Sequence, residues 1–123
     1  MERICLETEV ILDFLCGEKS AVEKIRYYTD RDQICITPFT LVQLNTVIKK
    51  PEVLNAFVSN VTILPFDKNS GLIASRLLNE LREKGTKVNI ESLLTAAICI
   101  ENSALLFTKN RALFDGIKSL KFV

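Results

Sequence analysis

Two glutamates, two amides and a pair of hydroxyls are the groups in this chain whose types and placement could do chemistry together. Glu7 follows the apolar run Ile4-Cys5-Leu6, and Glu91 follows Asn89-Ile90 at the opening of a long apolar segment. Gln43 and Asn110 supply amides, and Thr37 and Thr108 supply hydroxyls just past two other apolar runs. All six carry hard oxygen donors, which suit magnesium or manganese. Two uncompensated carboxylates about 4 Å apart repel by a few kcal/mol even at an effective dielectric near 20, so close packing of Glu7 and Glu91 would invite a cation. The sequence contains no histidine. That excludes histidine triads, histidine zinc sites and histidine general bases in one step. The plainer reading of Glu7 and Glu9 is that acids decorate a first helical turn, where the helix dipole favours them.

The elements that must position these groups alternate between strand and helix. Ile4-Cys5-Leu6 lacks polar alternation, as befits a strand covered on both faces. Thr8 is placed to cap the next helix, in which Val10, Ile11, Phe14 and Leu15 form one apolar stripe. Gly17 offers a stop, and Ser20-Ala21-Val22-Glu23 resembles a capping box for a second helix running to about Tyr28. Gln33-Ile34-Cys35-Ile36 reads as a second strand. Thr37-Pro38 then opens a helix, with threonine as cap and proline at the first position. Gln43 falls about two turns into that helix, among apolar neighbours.

Pro51 starts a short helix bearing Val53, Leu54, Phe57 and Val58. Val61-Thr62-Ile63-Leu64 is a third strand. Asp67 caps the longest helix, with Leu72, Ile73, Leu77, Leu78 and Leu81 at helical spacing, and Gly85 ends it. Asn89 caps the next, which carries Ile90, Leu93, Leu94, Ala97, Ile98 and Ile100, with Glu91 in its first turn. Ala104-Leu105-Leu106-Phe107 is a fourth strand, followed by a short helix through Phe114. Leu120-Lys121-Phe122-Val123 is expected as a final edge strand. Strands separated by helices throughout imply parallel pairing and a three-layer helix-sheet-helix α/β sandwich. In such a sheet ligands gather at the carboxyl edge, so Glu7, Thr37, Thr108 and Asn110 should share one rim, with Glu91 arriving there on a helix start.

A length of 123 residues predicts a single domain, 1–123, with one well-formed core. Apolar residues make up 48% and charged residues 25%, which is ordinary for a globular chain and leaves no disordered class to consider. Sixteen lysines and arginines against 15 acids give a net charge of +1, so a nucleic-acid partner is neither demanded nor forbidden. No run approaches the roughly 18 apolar residues of a membrane span. Glu7, Glu9 and Asp13 interrupt the first apolar segment, so no signal peptide is read there and a cytoplasmic protein is expected. Cys5, Cys16, Cys35 and Cys99 sit in apolar contexts without metal-type spacing and read as buried, reduced, structural thiols. The four glycines are scattered, so no glycine-rich phosphate loop competes for the site.

Four motifs in order resemble the PIN-domain ribonucleases, above all the small VapC-type toxins of toxin–antitoxin pairs. Leu6-Glu7-Thr8-Glu9 looks like the family's opening Leu-Asp-Thr-Asn. Thr37-Pro38-Phe39-Thr40-Leu41-Val42-Gln43-Leu44 is similar to a segment in which the family has glutamate before leucine. Glu91-Ser92-Leu93-Leu94-Thr95-Ala96-Ala97 is similar to its Asp-x-Leu-Ile-Ala-Ala helix, and Thr108-Lys109-Asn110-Arg111-Ala112-Leu113-Phe114 to its last motif.

The resemblance spans nearly the whole chain. It implies a magnesium- or manganese-dependent endoribonuclease with four acids around one or two ions, a homodimer, and a small antitoxin partner. Carried over by position, Glu7 and Glu91 replace two aspartates, Gln43 replaces the glutamate, and Asn110 stands at or near the fourth acid. Asp115 is the nearest surviving carboxylate there. Glu7, Glu91 and Asn110 are the expected metal ligands, and with Gln43 they form the expected catalytic set. Each glutamate keeps the charge but reaches one methylene further, while Gln43 keeps an oxygen and loses the charge. Three readings follow: a nuclease with a weakened or altered site, a non-catalytic PIN-fold module binding RNA or a protein partner, and an unrelated α/β domain with surface acids. Lys84, Lys87, Lys109 and Arg111 lie where they could meet RNA phosphates.

Overall fold

The computed structural model describes all 123 residues. Four short strands carry the centre: β1 (Arg3–Leu6), β2 (Gln33–Ile36), β3 (Thr62–Ile63) and β4 (Ala104–Phe107). They pair in parallel in the order β3-β2-β1-β4, so β1 is flanked on both sides. Parallel pairing leaves both sheet faces to be covered by the intervening helices. These are α1 (Thr8–Leu15), α2 (Lys19–Thr29), α3 (Pro38–Val47), α4 (Pro51–Val58), α5 (Lys68–Glu83) and α6 (Ile90–Glu101), with a 3-10 turn over Arg111–Phe114. The expected α/β three-layer sandwich is the architecture found.

Side chains alternate across the sheet and divide the core in two. Cys5, Cys35 and Leu106 point into a cluster with Ala74, Leu77 and Leu81 of α5 and Leu93, Ala97 and Ile98 of α6. Ile4, Leu6, Ile34 and Ile36 point the other way, against Val10 and Ile11 of α1, Ile25 of α2, Leu44 of α3 and Leu54 of α4. Leu6 is fully buried. Burying a side chain of this size contributes roughly 1.5–3 kcal/mol relative to leaving it in water.

Local signals fix where the helices start. Thr37 accepts from the Thr40 amide at 3.2 Å, Asp67 from Ser70 at 2.9 Å and Asn89 from Ser92 at 2.9 Å, as their residue types predict. Gly85 adopts φ +69° after α5, and Thr86 N donates to Leu81 O at 3.0 Å in a helix-terminating turn.

Several local expectations need correction. Thr8 is the first residue inside α1 rather than its cap; Glu7 takes that position and makes no side-chain capping bond. Glu18, not Ser20, caps α2, accepting from Ser20 N and Ala21 N. Only Thr62–Ile63 of the third apolar run forms a strand, at the edge of the sheet beside β2. The carboxyl-terminal run contributes a single parallel bridge, Leu106 to Phe122, rather than an edge strand. Leu72 and Ile90 are exposed rather than packed, and so is Cys16 among the free thiols.

Candidate active site

Each candidate residue is placed by an element rooted in the core. Glu7 sits one residue past β1, and its backbone N–H donates to Phe107 O at 3.1 Å, which extends the pairing with β4 to the rim. With no capping bond to make, its carboxylate turns outward and accepts from the Thr108 hydroxyl. Thr108 in turn accepts from Asn110 N at 3.0 Å. Asn110, Thr108 and Glu7 therefore form one relay, carried on the strand ends.

A second relay runs between helices. The Thr8 hydroxyl donates to Gln43 Oε1, and Gln43 Nε2 donates to Glu91 Oε1. Glu91 is the second residue of α6, two positions after its Asn89 cap. The two relays face one polar cleft of about 150 Å³, lined by Glu7, Thr8, Glu9, Gln43, Asn89, Glu91, Ser92, Asn110 and Leu113. Glu7, Gln43, Glu91 and Asn110 are thus together. Thr37 is not among them, since it is fully buried as the cap of α3. Asp115 does not line the cleft either. Glu9, Asn89 and Ser92 do, though the sequence marks Glu9 and Asn89 only as helix-start residues and Ser92 only as part of the Glu91 motif. Their signal was proximity, for each lies within two positions of a candidate carboxylate.

The cleft has three carboxylates and no lysine or arginine in its lining. Burial pushes the Glu7 carboxyl above the ordinary glutamate range; the Thr108 hydrogen bond opposes this, and the Glu9 and Glu91 charges add to it. The three carboxylates do not close into a three-acid cage. The nearby cations are engaged elsewhere. Lys109 pairs with Asp13 at 2.7 Å, which raises the lysine above its usual range. Arg111 donates to Val123 O at 2.7 Å and lies over the Phe122 ring. Lys84 and Lys87 are exposed outside the lining.

A larger cavity, about 560 Å³, lies away from this site among Phe14, Leu15, Ile25, Ile34, Val53 and Phe57. Its lining is apolar apart from Thr29, Glu52 and Asn60, so it lacks the converging polar groups that chemistry needs.

Solved structures similar to this chain share its whole architecture. One is a chain of VapBC2 from Rickettsia felis bound to a promoter DNA fragment: 24% identical, TM-score 0.86, covering 98% of this chain and 97% of that one. DNA-bound VapBC from Salmonella typhimurium is 22% identical with TM-score 0.84, covering 100% of this chain and 98% of the other. The chain shares the fold of VapBC toxin–antitoxin proteins. VapBC-1 from nontypeable Haemophilus influenzae is a third case, 17% identical with TM-score 0.83, over 98% of this chain and 96% of its own. No protein-family model matches the sequence, and no curated protein does. The VapC-like resemblance read from the motifs thus has its counterpart in the fold. No helix is long and apolar enough to cross a membrane.

Proposed function

We propose that this chain is a VapC-like toxin, a PIN-type endoribonuclease working in the cytoplasm as one domain, with a weakened acidic site and an antitoxin partner. One observation carries the reading: Glu7 from a central strand end and Glu91 from a helix start face the same polar cleft. The toxin–antitoxin complexes that share the fold support the antitoxin partner. RNA as substrate and a homodimer come with the resemblance.

The donor set fits a divalent ion sparsely. Magnesium binds through one or two carboxylates while keeping several waters and taking substrate phosphate oxygens. Glu7 and Glu91 each spend Oε1 on a protein donor, which leaves Oε2 for a cation, and Asn110 brings an amide to the same cleft. A bound magnesium or manganese would supply an activated water and neutralise phosphate charge. The chain's own part is to hold these oxygens. Thr108 fixes Glu7 against the strand edge, and Asn89 fixes the turn that presents Glu91. Two committed carboxylates hold an ion less tightly than four, so weak binding and slow cleavage are expected.

A second reading, a non-catalytic PIN-fold module that binds RNA or a protein, is favoured by the Gln43 amide, which meets Glu91 with a neutral donor. Incubation with structured RNA separates the two. The enzyme reading expects cleavage in manganese or magnesium that chelator abolishes and that Glu7→Gln reduces by at least tenfold. RNA binding without cleavage in either ion would establish the second reading instead.

A further inference from the structure

Gln43 has two chemically different ends, and one of them meets a group that takes only a donor. The Glu91 carboxylate is acceptor-only, so the amide end facing it must be Nε2, the donor. The opposite end, Oε1, receives the Thr8 hydroxyl. Thr8 is free for this because Glu7 occupies the cap position of α1 and Thr8 begins the helix proper. The amide is therefore oriented by Glu91 on α6 and anchored by Thr8 on α1, while its own position is set by α3. In this orientation Oε1 is turned towards Thr8 and the carboxylate faces a donor rather than a fellow ligand.

We propose that Gln43 is a positioning residue: anchored by Thr8, its amide clamps Glu91 Oε1, so a divalent ion reaches only Oε2 until it displaces this bond. The proposal rests on the reading of the cleft as a divalent-ion site. An amide donor and a cation compete for the same negative oxygens, and a hydrogen bond to a charged acceptor is among the stronger kind. The clamp holds Glu91 in place when no ion is bound and raises the concentration of ion needed to take it.

The test is manganese binding to the full chain, read by electron paramagnetic resonance, for the unaltered protein, Gln43→Ala and Thr8→Val. Gln43→Ala should bind manganese roughly three- to tenfold more tightly, because nothing then competes for Glu91. Thr8→Val should shift in the same direction by less, since the amide loses one of its two anchors. Tenfold weaker binding in Gln43→Ala would make the Gln43 oxygen a ligand and overturn the clamp. Unchanged affinity would overturn it too. If none of the three proteins binds manganese, the metal-site reading fails by itself, and the clamp is judged in metal-free protein. There the Gln43 side-chain amide resonances must move in Glu91→Gln, and stationary resonances would refute it.

Discussion

The two relays of the cleft are built differently. The Glu7–Thr108–Asn110 half hangs on strand ends, directly beyond fully buried Leu6, and its carboxylate is half-buried. The Thr8–Gln43–Glu91 half is held by helices, Thr8 and Glu91 at their starts and Gln43 within α3, and Glu91 is exposed. A carboxylate on a strand end inherits the rigidity of the core and the cost of desolvation. A carboxylate on a first helical turn stays in water and gains from the helix dipole. Equal charges in one cleft therefore sit in different surroundings, and that difference can be broken at several points.

The largest effect should come from removing the footing of the strand half. Leu6→Ala leaves a cavity under Glu7 and should destabilise the protein by about 3 kcal/mol in denaturant unfolding. The helix half should be less sensitive: Asn89→Ala removes the cap that sets the first turn of α6 and should cost about 1 kcal/mol. If the two substitutions cost the same, the strand half is no better anchored than the helix half.

The starts of α3, α5 and α6 were legible because Thr37, Asp67 and Asn89 satisfy amides three residues ahead, a geometry that depends on local sequence alone. The place of Glu7 was legible from the unbroken apolar run before it. The partners of Thr8 and Thr108 were not, since both hydroxyls act across the fold, to Gln43 on α3 and to Glu7 beyond β1. Nor was the commitment of Lys109 and Arg111, whose partners Asp13 and Val123 lie on other segments. The third strand is shorter than its apolar run because only Thr62 and Ile63 find register partners on β2, in Cys35 and Ile36. Spacing reports on what a segment does to itself; contacts between segments had to be seen.

A smaller effect tests the charge of the strand half through pH. Because burial holds Glu7 above the ordinary glutamate value of 4.5, its protonated form favours the folded state. That contribution is fully present below the unfolded pKa and is lost as pH rises through the folded one. In chelator, Glu7→Gln should thus melt with the unaltered protein near pH 4 and above it at pH 7. An advantage that stays constant over this range would not come from ionisation of Glu7. The smallest change is expected at the other carboxylate. Glu91→Gln removes a dipole partner and should lower stability by a few tenths of a kcal/mol at neutral pH. A rise in its melting temperature would erase the contrast between the two halves.

The central claim is that Glu7 belongs to a divalent-ion site and bears a cost when that ion is missing. Thermal melts of the unaltered protein and Glu7→Gln, each in chelator and in excess manganese, test it most directly. In chelator Glu7→Gln should melt a few degrees higher, the scale of about 1 kcal/mol in a domain of this size. In manganese the order should narrow or reverse, because the unaltered site gains more free energy from binding the ion. If Glu7→Gln melts lower in both buffers, Glu7 is a helix-dipole partner and the metal-site account of this cleft is wrong.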